Sequence, residues 1–363
     1  MKLRMAVVGV GHLGQHHARI LSQNPDVDLV GVVDNNADQA AAIATKLGTK
    51  PFTDHEELLD QVDAVSIVTP TIYHHRVAAE FLRAGVPVLV EKPVCRTVSE
   101  ANDLIRLAAE NGVPLQVGHI ERFNPAFEDL ASRPIRPAFI EAERHGPYTG
   151  RSVDIGAVLD LMIHDLDLLL ALVGSPVQDV EAIGAAVFGG HEDMVNARLK
   201  FENGCVAHVT ASRITPRPKR RLRVWAPEGY AGIDFVSRKL TLVQASPELR
   251  MMGIRVDRMD AATKARLKDD LFGRYLQVMN VDADRSNDQL TSELKHFIDC
   301  VKFGRTPRVT GEDGRDALNL AERILTSVRS HSWQGNMDGT TGPNRMPRPA
   351  GWLFDPPRAS EAA

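Results

Sequence analysis

Cysteine is scarce in this chain. Only Cys95, Cys205 and Cys300 occur, far apart and without a CxxC pair. That excludes a zinc framework or a disulfide scaffold and fits a reducing compartment. An excess of one charge is also lacking: 43 Lys and Arg stand against 47 Asp and Glu, a net charge of −4. Nothing here calls for nucleic acid or an anionic membrane. No apolar run reaches the roughly 18 residues of a membrane-spanning helix. The most apolar stretch, Ala157 to Val173, is interrupted by Asp160, Asp165 and Asp167. The start, Met1-Lys2-Leu3-Arg4, imitates the charged end of a signal peptide. Only a short apolar stretch follows it, with no small-residue cleavage site, so a cytoplasmic protein is expected. No internal repeat is visible. At 363 residues and 43% hydrophobic content, the chain has room for two domains with full cores.

A glycine-rich turn is the strongest feature present. The apolar stretch Leu3 to Val8 runs into Gly9-Val10-Gly11-His12-Leu13-Gly14, followed by a helix-like segment. A second apolar strand ends on Asp34, 20 residues beyond Gly14. Strand, GxGxxG turn, helix and distal acid together form a dinucleotide-binding fingerprint. Gly9 allows the tight turn, Gly11 lets a pyrophosphate approach, and Gly14 lets the helix pack on the strand. The helix N-terminus, with His12 and Leu13 in the turn, offers N–H groups to the phosphates. Asp34 can accept both hydroxyls of an adenosine ribose and would repel a 2′-phosphate. No arginine stands beside it. NAD is therefore the expected cofactor.

The first 120 residues alternate between strand and helix. Strands are predicted at Leu3–Val8, Leu29–Val33, Ala64–Val68, Val86–Val90 and Leu115–Val117. Helices are predicted at Gln15–Gln23, Ala37–Leu47, Glu56–Gln61, His74–Ala84 and Val98–Asn111. This pattern predicts an α/β fold, a doubly wound parallel sheet with ligands at the carboxyl ends of its strands. After Asn124 one helix, Val158–Val173, accompanies a run of strands from Ala138 to Val243, and the helices Asp288–Phe303 and Gly314–Ser330 close the domain. The expected division is 1–122 for the Rossmann domain and 123–331 for an α+β domain with a largely antiparallel open sheet. A Gly- and Pro-rich tail, 332–363, is predicted to be extended or disordered.

Chemistry is expected at three places. Glu91-Lys92-Pro93 follows the fourth strand and so meets the nicotinamide end of the cofactor. There Lys92 can donate to a substrate hydroxyl and stabilise the alkoxide, with Pro93 holding the chain extended. Asp160 and His164 are four apart on an apolar helix, so they share a face. Buried polar groups of this kind are either paired or functional. A carboxylate-oriented histidine is a suitable base for a hydroxyl proton; mutual satisfaction of the pair is the other reading. Thr69-Pro70 ends the third strand and His74 opens the next helix, all three on the cofactor side. Asp165 and Asp167 make a metal cluster imaginable, but hydride transfer to NAD requires none, and no metal is expected.

GVGHLG, VTPTIYH at 68–74, EKP at 91–93 and DIGAVLDLMIHDLD at 154–167 together resemble the Gfo/Idh/MocA oxidoreductases. So does the late segment ELKHFIDCVKFGRTPRVTGEDG. The resemblance runs from residue 3 to about 330. It implies a Rossmann domain followed by an α/β domain whose open sheet forms the subunit interface, hence a homo-oligomer, dimer or tetramer. It also implies a catalytic trio of Lys92, Asp160 and His164, with Glu91 beside the cofactor. Where the family's helix opens on a glycine pair, this chain has Ile155-Gly156.

The segment Gly118-His119-Ile120-Glu121-Arg122-Phe123-Asn124-Pro125 is similar to that of members acting on nucleotide sugars of the UDP-N-acetylglucosamine type, and to that of some inositol dehydrogenase-like members. It places His119, Arg122 and Asn124 as candidates for sugar hydroxyls or phosphate. A hinge capped by Asn124 before Pro125 is the alternative. A basic run, Arg213, Arg217, Lys219, Arg220, Arg221 and Arg223, offers cations to a diphosphate or is a solvated strand edge. The expected activity is NAD-dependent oxidation of a secondary hydroxyl of a sugar or nucleotide sugar. The alternatives are an inositol or free-sugar dehydrogenase and a non-catalytic redox sensor.

Overall fold

The computed structural model describes residues 2–148, 150, 155–188, 190–282, 288–333 and 341–345. The chain builds two sheets. The first contains β1 (Leu3–Val8), β2 (Val27–Val33), β3 (Lys50–Phe52), β4 (Ala64–Ile67), β5 (Val88–Glu91) and β6 (Leu115–Gly118), in the order β3-β2-β1-β4-β5-β6. All its pairings are parallel. Such strands are covered on both faces; accordingly all four residues of β4 and all four of β5 are buried. The helices α1 (Gly14–Gln23), α2 (Ala37–Leu47), α3 (Thr71–Arg83) and α4 (Val98–Asn111) supply the cover. Their ends follow from local chemistry. Asn36 caps α2 by accepting from the N–H groups of Asp38 and Gln39, and Gly48 stops it at φ +69°. The strand order reverses between β1 and β4, which opens the crevice where such sheets bind ligands.

The second sheet has eight strands. After α5 (Pro125–Ala131) come β7 (Phe139–His145), a π turn (Val158–Met162), α6 (Ile163–Val173) and β8 (Val177–Ala185). Then follow β9 (Met194–Phe201), β10 (Val206–Ser212), β11 (Lys219–Ala226), β12 (Gly229–Asp234) and β13 (Lys239–Ala245). The helices α7 (Pro247–Met252) and α8 (Ala261–Asp270) precede β14 (Leu276–Asp282). The order is β14-β13-β12-β11-β7-β10-β9-β8, antiparallel except for β7 beside β10. One face is buried: Val195, Ala197, Leu199 and Phe201 alternate inward along β9 and meet Leu166 and Leu169 of α6.

Three elements differ from expectation. The single helix expected over Val158–Val173 is a π turn running into an α-helix. The late helices do not serve the second domain alone. In α9 (Gln289–Phe303), Leu290, Leu294, Phe297 and Ile298 join the core formed by β1 and α1. In α10 (Gly311–Ser330), Leu318 packs in the first half, whereas Leu320, Ala321 and Ile324 pack in the second. These helices fasten the halves together. Trp352, Leu353 and Phe354 of the tail lie outside the described residues.

Candidate active site

The glycine turn is built by exclusion. Gly9 turns the chain at φ +88°, and a Cβ there would stand 2.7 Å from the Val68 carbonyl oxygen. A Cβ on Gly14 would stand 1.8 Å from the Gly9 carbonyl oxygen. Gly11 is different: its Cβ would meet nothing within 4 Å, so the missing side chain leaves open space over the backbone. Behind it α1 starts with no side-chain cap on Leu13 and no acid in its first turn. Its N–H groups and positive dipole end are therefore available to an anion. His12 and Leu13 are both exposed at the turn, and His12 lines the cleft.

Asp34 is held in place by the backbone. The Val10 N–H donates to its Oδ2 at 3.0 Å and the Asn36 N–H to its Oδ1 at 3.0 Å. Each oxygen keeps capacity for a ribose hydroxyl, and a 2′-phosphate would meet a like charge. The residues thus fit NAD. A cleft of about 820 Å³ is lined by Gly9, Gly11, Asp34, Thr69, Lys92 and Asp160, among others, a size typical of small-molecule sites. Pro70 lines it too, and Thr69 Oγ1 is buried without a hydrogen-bond partner among the described residues.

Lys92 follows β5, and its peptide bond to Pro93 is cis. Its Nζ donates to the Asp160 carbonyl oxygen at 2.8 Å and lies 3.6 Å from Asp160 Oδ1. Among the described residues His164 Nδ1 has no hydrogen-bond partner, and neither ring nitrogen of His119 has one. The two imidazoles stand edge to face with centroids 6.5 Å apart. Burial, aided by the charges of Lys92 and Arg144, pushes the His164 pKa well below its ordinary value. Burial likewise lowers that of His119. Two neutral imidazoles beside a lysine can take up a proton at nitrogen while the cation stabilises a developing negative charge.

Residues 3–119 match the family described as "Oxidoreductase family, NAD-binding Rossmann fold". Residues 132–231 match the "GFO/IDH/MocA C-terminal domain". A UDP-N-acetylglucosamine 3-dehydrogenase from Acidithiobacillus ferrooxidans is 36% identical over 334 residues, which is 90% of this chain and 98% of that protein. The chain belongs to this family. It is an NAD-dependent oxidoreductase. The solved structure of the Acidithiobacillus enzyme superposes with a TM-score of 0.79 at 35% identity, covering 90% of this chain and 98% of that one. A scyllo-inositol 2-dehydrogenase (NAD(+)) from Bacillus subtilis is 28% identical over 91% of this chain and 95% of its own length. Levoglucosan dehydrogenase, solved in complex with NADH, shares the fold at a TM-score of 0.75 and 17% identity, over 90% of this chain and 97% of its own.

Several site residues of this dehydrogenase are employed otherwise than the sequence suggested. No hydrogen bond or ion pair joins Asp160 to His164 among the described residues, and the charged partner of Asp160 is Lys92. The π turn adds a residue per turn and breaks the α-helical i, i+4 register on which that pairing depended. The carboxylate of Glu91 turns inward, 3.4 Å from His17 Nε2, and accepts from the Lys92 N–H at 3.2 Å. His74 is buried, with Nδ1 2.9 Å from the Pro93 carbonyl oxygen and Nε2 2.8 Å from that of Thr69. It braces the loops that carry Lys92 and Thr69 and does not line the cleft.

Of the three candidates in the 118–125 segment, only His119 stands beside His164. The guanidinium of Arg122 forks onto Asp167 at 2.8 and 3.1 Å and reaches Asp313 at 3.4 Å. Asn124 caps α5 through the Ala126 N–H and donates to Glu121 at 3.3 Å. Asp165 forks onto Arg144 at 2.9 and 2.8 Å, so it and Asp167 are each occupied by an arginine. Arg144 was missed by the sequence reading. Its signal was present: β7 alternates Ile140, Ala142, Arg144 on the buried side, and an arginine in such a row demands a buried acid.

Proposed function

We propose that the chain oxidises a secondary hydroxyl of a nucleotide sugar, the 3-hydroxyl of a UDP-N-acetylglucosamine-type substrate being the favoured one. The observation that carries the chemistry is a neutral His164, its Nδ1 without a hydrogen-bond partner among the described residues, within electrostatic reach of Lys92. The likeness to the Acidithiobacillus enzyme over nearly its whole length supports the substrate class. The hydroxyl proton passes to the imidazole of His164. Lys92 Nζ donates to the same oxygen and holds the negative charge that develops as the proton leaves. Asp160, through its carbonyl oxygen and carboxylate, keeps the Lys92 ammonium in place. Bound NAD supplies the hydride acceptor. His119, only 1% exposed, closes the site beside His164.

Substrate class is tested by following NADH formation with UDP-N-acetylglucosamine, N-acetylglucosamine, myo-inositol and scyllo-inositol. A kcat/KM at least about 100-fold higher for the nucleotide sugar is expected, since a site built for charged groups strongly rejects analogues that lack them. Preference for an inositol would overturn the reading in favour of the activity named for the Bacillus relative. Binding of NADH with no turnover of any of them would favour a redox sensor.

The pH dependence has a defined sign. Protonation removes the base, so loss of activity falls on the acid side. The His164 pKa is pushed well below 6.5, so kcat/KM should hold as the pH drops through that value and fall only in more acid solution. Stability follows the same shift. Between the lowered folded pKa and about 6.5, the unfolded chain carries a proton that the folded chain lacks. Stability therefore rises with pH across that window, and the contribution is lost below it. An acid limb centred at or above pH 6.5 would count against His164 as the base.

A further inference from the structure

The basic run around β11 divides by strand face. Leu222 and Val224 are buried on the inner side, so Lys219, Arg221 and Arg223 point outward. Each outward cation finds an acid: Lys219 with Glu143 at 2.7 Å, Arg221 with Asp234 at 3.4 Å, Arg223 with Glu141 at 2.8 Å. On the neighbouring loop Arg213 pairs with Asp193 at 2.7 Å. These cations belong to the architecture.

Arg220 differs from them. It lies on the inner side with Leu222 and Val224, at the end of the strand, exposed and without an acidic partner among the described residues. In the sheet register it stands directly opposite Arg144. Like charges facing each other across a strand pair are unfavourable. The charge of Arg144 is already met by Asp165 and Glu121, which leaves that of Arg220 uncovered. Arg144, its neighbour across the strand pair, forks onto Asp165, the residue after His164, and the charge of Arg220 bears on both His164 and Asp165. The glycine turn and the N-terminus of α1, where cofactor phosphates fit, belong to the other sheet. Arg220 is therefore not placed for the cofactor phosphates.

We propose that Arg220 is the phosphate-recognising residue of the substrate site, its guanidinium taking a phosphoryl oxygen of a nucleoside-diphosphate sugar whose reacting hydroxyl lies between Lys92 and His164. This rests on the function proposed above and gives it a specificity device. Arginine suits phosphate through its planar fork of donors. Inositols and free sugars carry no group for it, so the same residue that draws a nucleotide sugar gives them no advantage.

The test uses the full-length protein loaded with NADH or NAD. Arg220→Gln should weaken UDP binding, measured by calorimetry, and raise KM for UDP-N-acetylglucosamine, each by about 10- to 100-fold, the range for a hydrogen bond to a charged group. KM for NAD should not move with them. Arg220→Lys should recover part of the loss, because it keeps the charge without the fork. Arg221→Gln, on the outer face, serves as the control and should change neither value. Arg220→Gln within about threefold of the unaltered protein on both readouts, or an equal loss for NAD, overturns the role of Arg220 and leaves the proposed function standing. UDP binding that depends on Arg220 without oxidation of UDP-N-acetylglucosamine upholds the anion site and overturns the favoured substrate. Turnover of an inositol with no UDP binding overturns both.

Discussion

Lys92→Ala is expected to lower kcat by roughly 10²- to 10³-fold, the loss typical of removing one donor from a developing oxyanion. Binding of NADH, followed by its fluorescence, should stay within about threefold, because the glycine turn and Asp34 do not depend on the lysine side chain. The geometry makes a second, finer demand. The shorter contact of Lys92 Nζ is to the Asp160 carbonyl oxygen at 2.8 Å, and the carboxylate oxygen is farther, at 3.6 Å. A backbone acceptor survives substitution of its side chain. Asp160→Asn should therefore cost clearly less than Lys92→Ala, and the loss should fall on kcat. Turnover of Lys92→Ala within about threefold of normal would remove the lysine from the chemistry. If Asp160→Asn were the more damaging of the two, the carboxylate would be acting on something other than Lys92.

The parts of the fold governed by near neighbours were readable. α2 and α4 run as predicted, Ala37–Leu47 and Val98–Asn111, because each has a capping side chain before it and a left-handed glycine after it. β9 and β10 fall within the expected run of strands, since alternation marks one buried face. The turn from Gly9 to Gly14 was legible because its glycines answer steric demands only a few residues away. β3 was missed: it is three residues, Lys50-Pro51-Phe52, at the sheet edge, where proline is tolerated. β14 was missed as well, an edge strand whose residues are mostly exposed and so lack a clear apolar row.

Distant partners were not readable. Arg122 had the chemistry of a phosphate ligand, but Asp167 of α6 and Asp313 of α10 take its donors. Glu91 lay beside the expected cofactor in sequence, yet His17, on the buried face of α1 with Ile20 and Leu21, draws its carboxylate inward. The hydrophobic stripe of α9 announced burial, but not that its partner would be the first sheet. In each case the residue type was informative and the partner depended on folding.

Arg144→Met is expected to destabilise the protein by about 3–5 kcal/mol, the usual cost of leaving buried charges without their partner. Arg144 is 3% exposed and ties three elements together. From β7 it forks onto Asp165 of α6 at 2.9 and 2.8 Å and reaches Glu121, in the turn after β6, at 2.9 Å. Burial, with the charge of Glu121 added, pushes the Asp165 pKa up, and the arginine opposes it. Without that cation two carboxyl groups must lose their charge or admit water. Urea unfolding followed by circular dichroism measures the loss, and a variant within about 0.5 kcal/mol of the unaltered chain would show that the cluster is not truly dry. The same substitution carries a functional signature. Arg144 is one of the charges that hold the His164 pKa down, so its removal should shift the acid limb of kcat/KM toward the ordinary histidine range. Destabilisation without that shift would make the cluster purely architectural. Both together would mean that one buried arginine joins the two halves of the molecule and keeps the proposed base unprotonated.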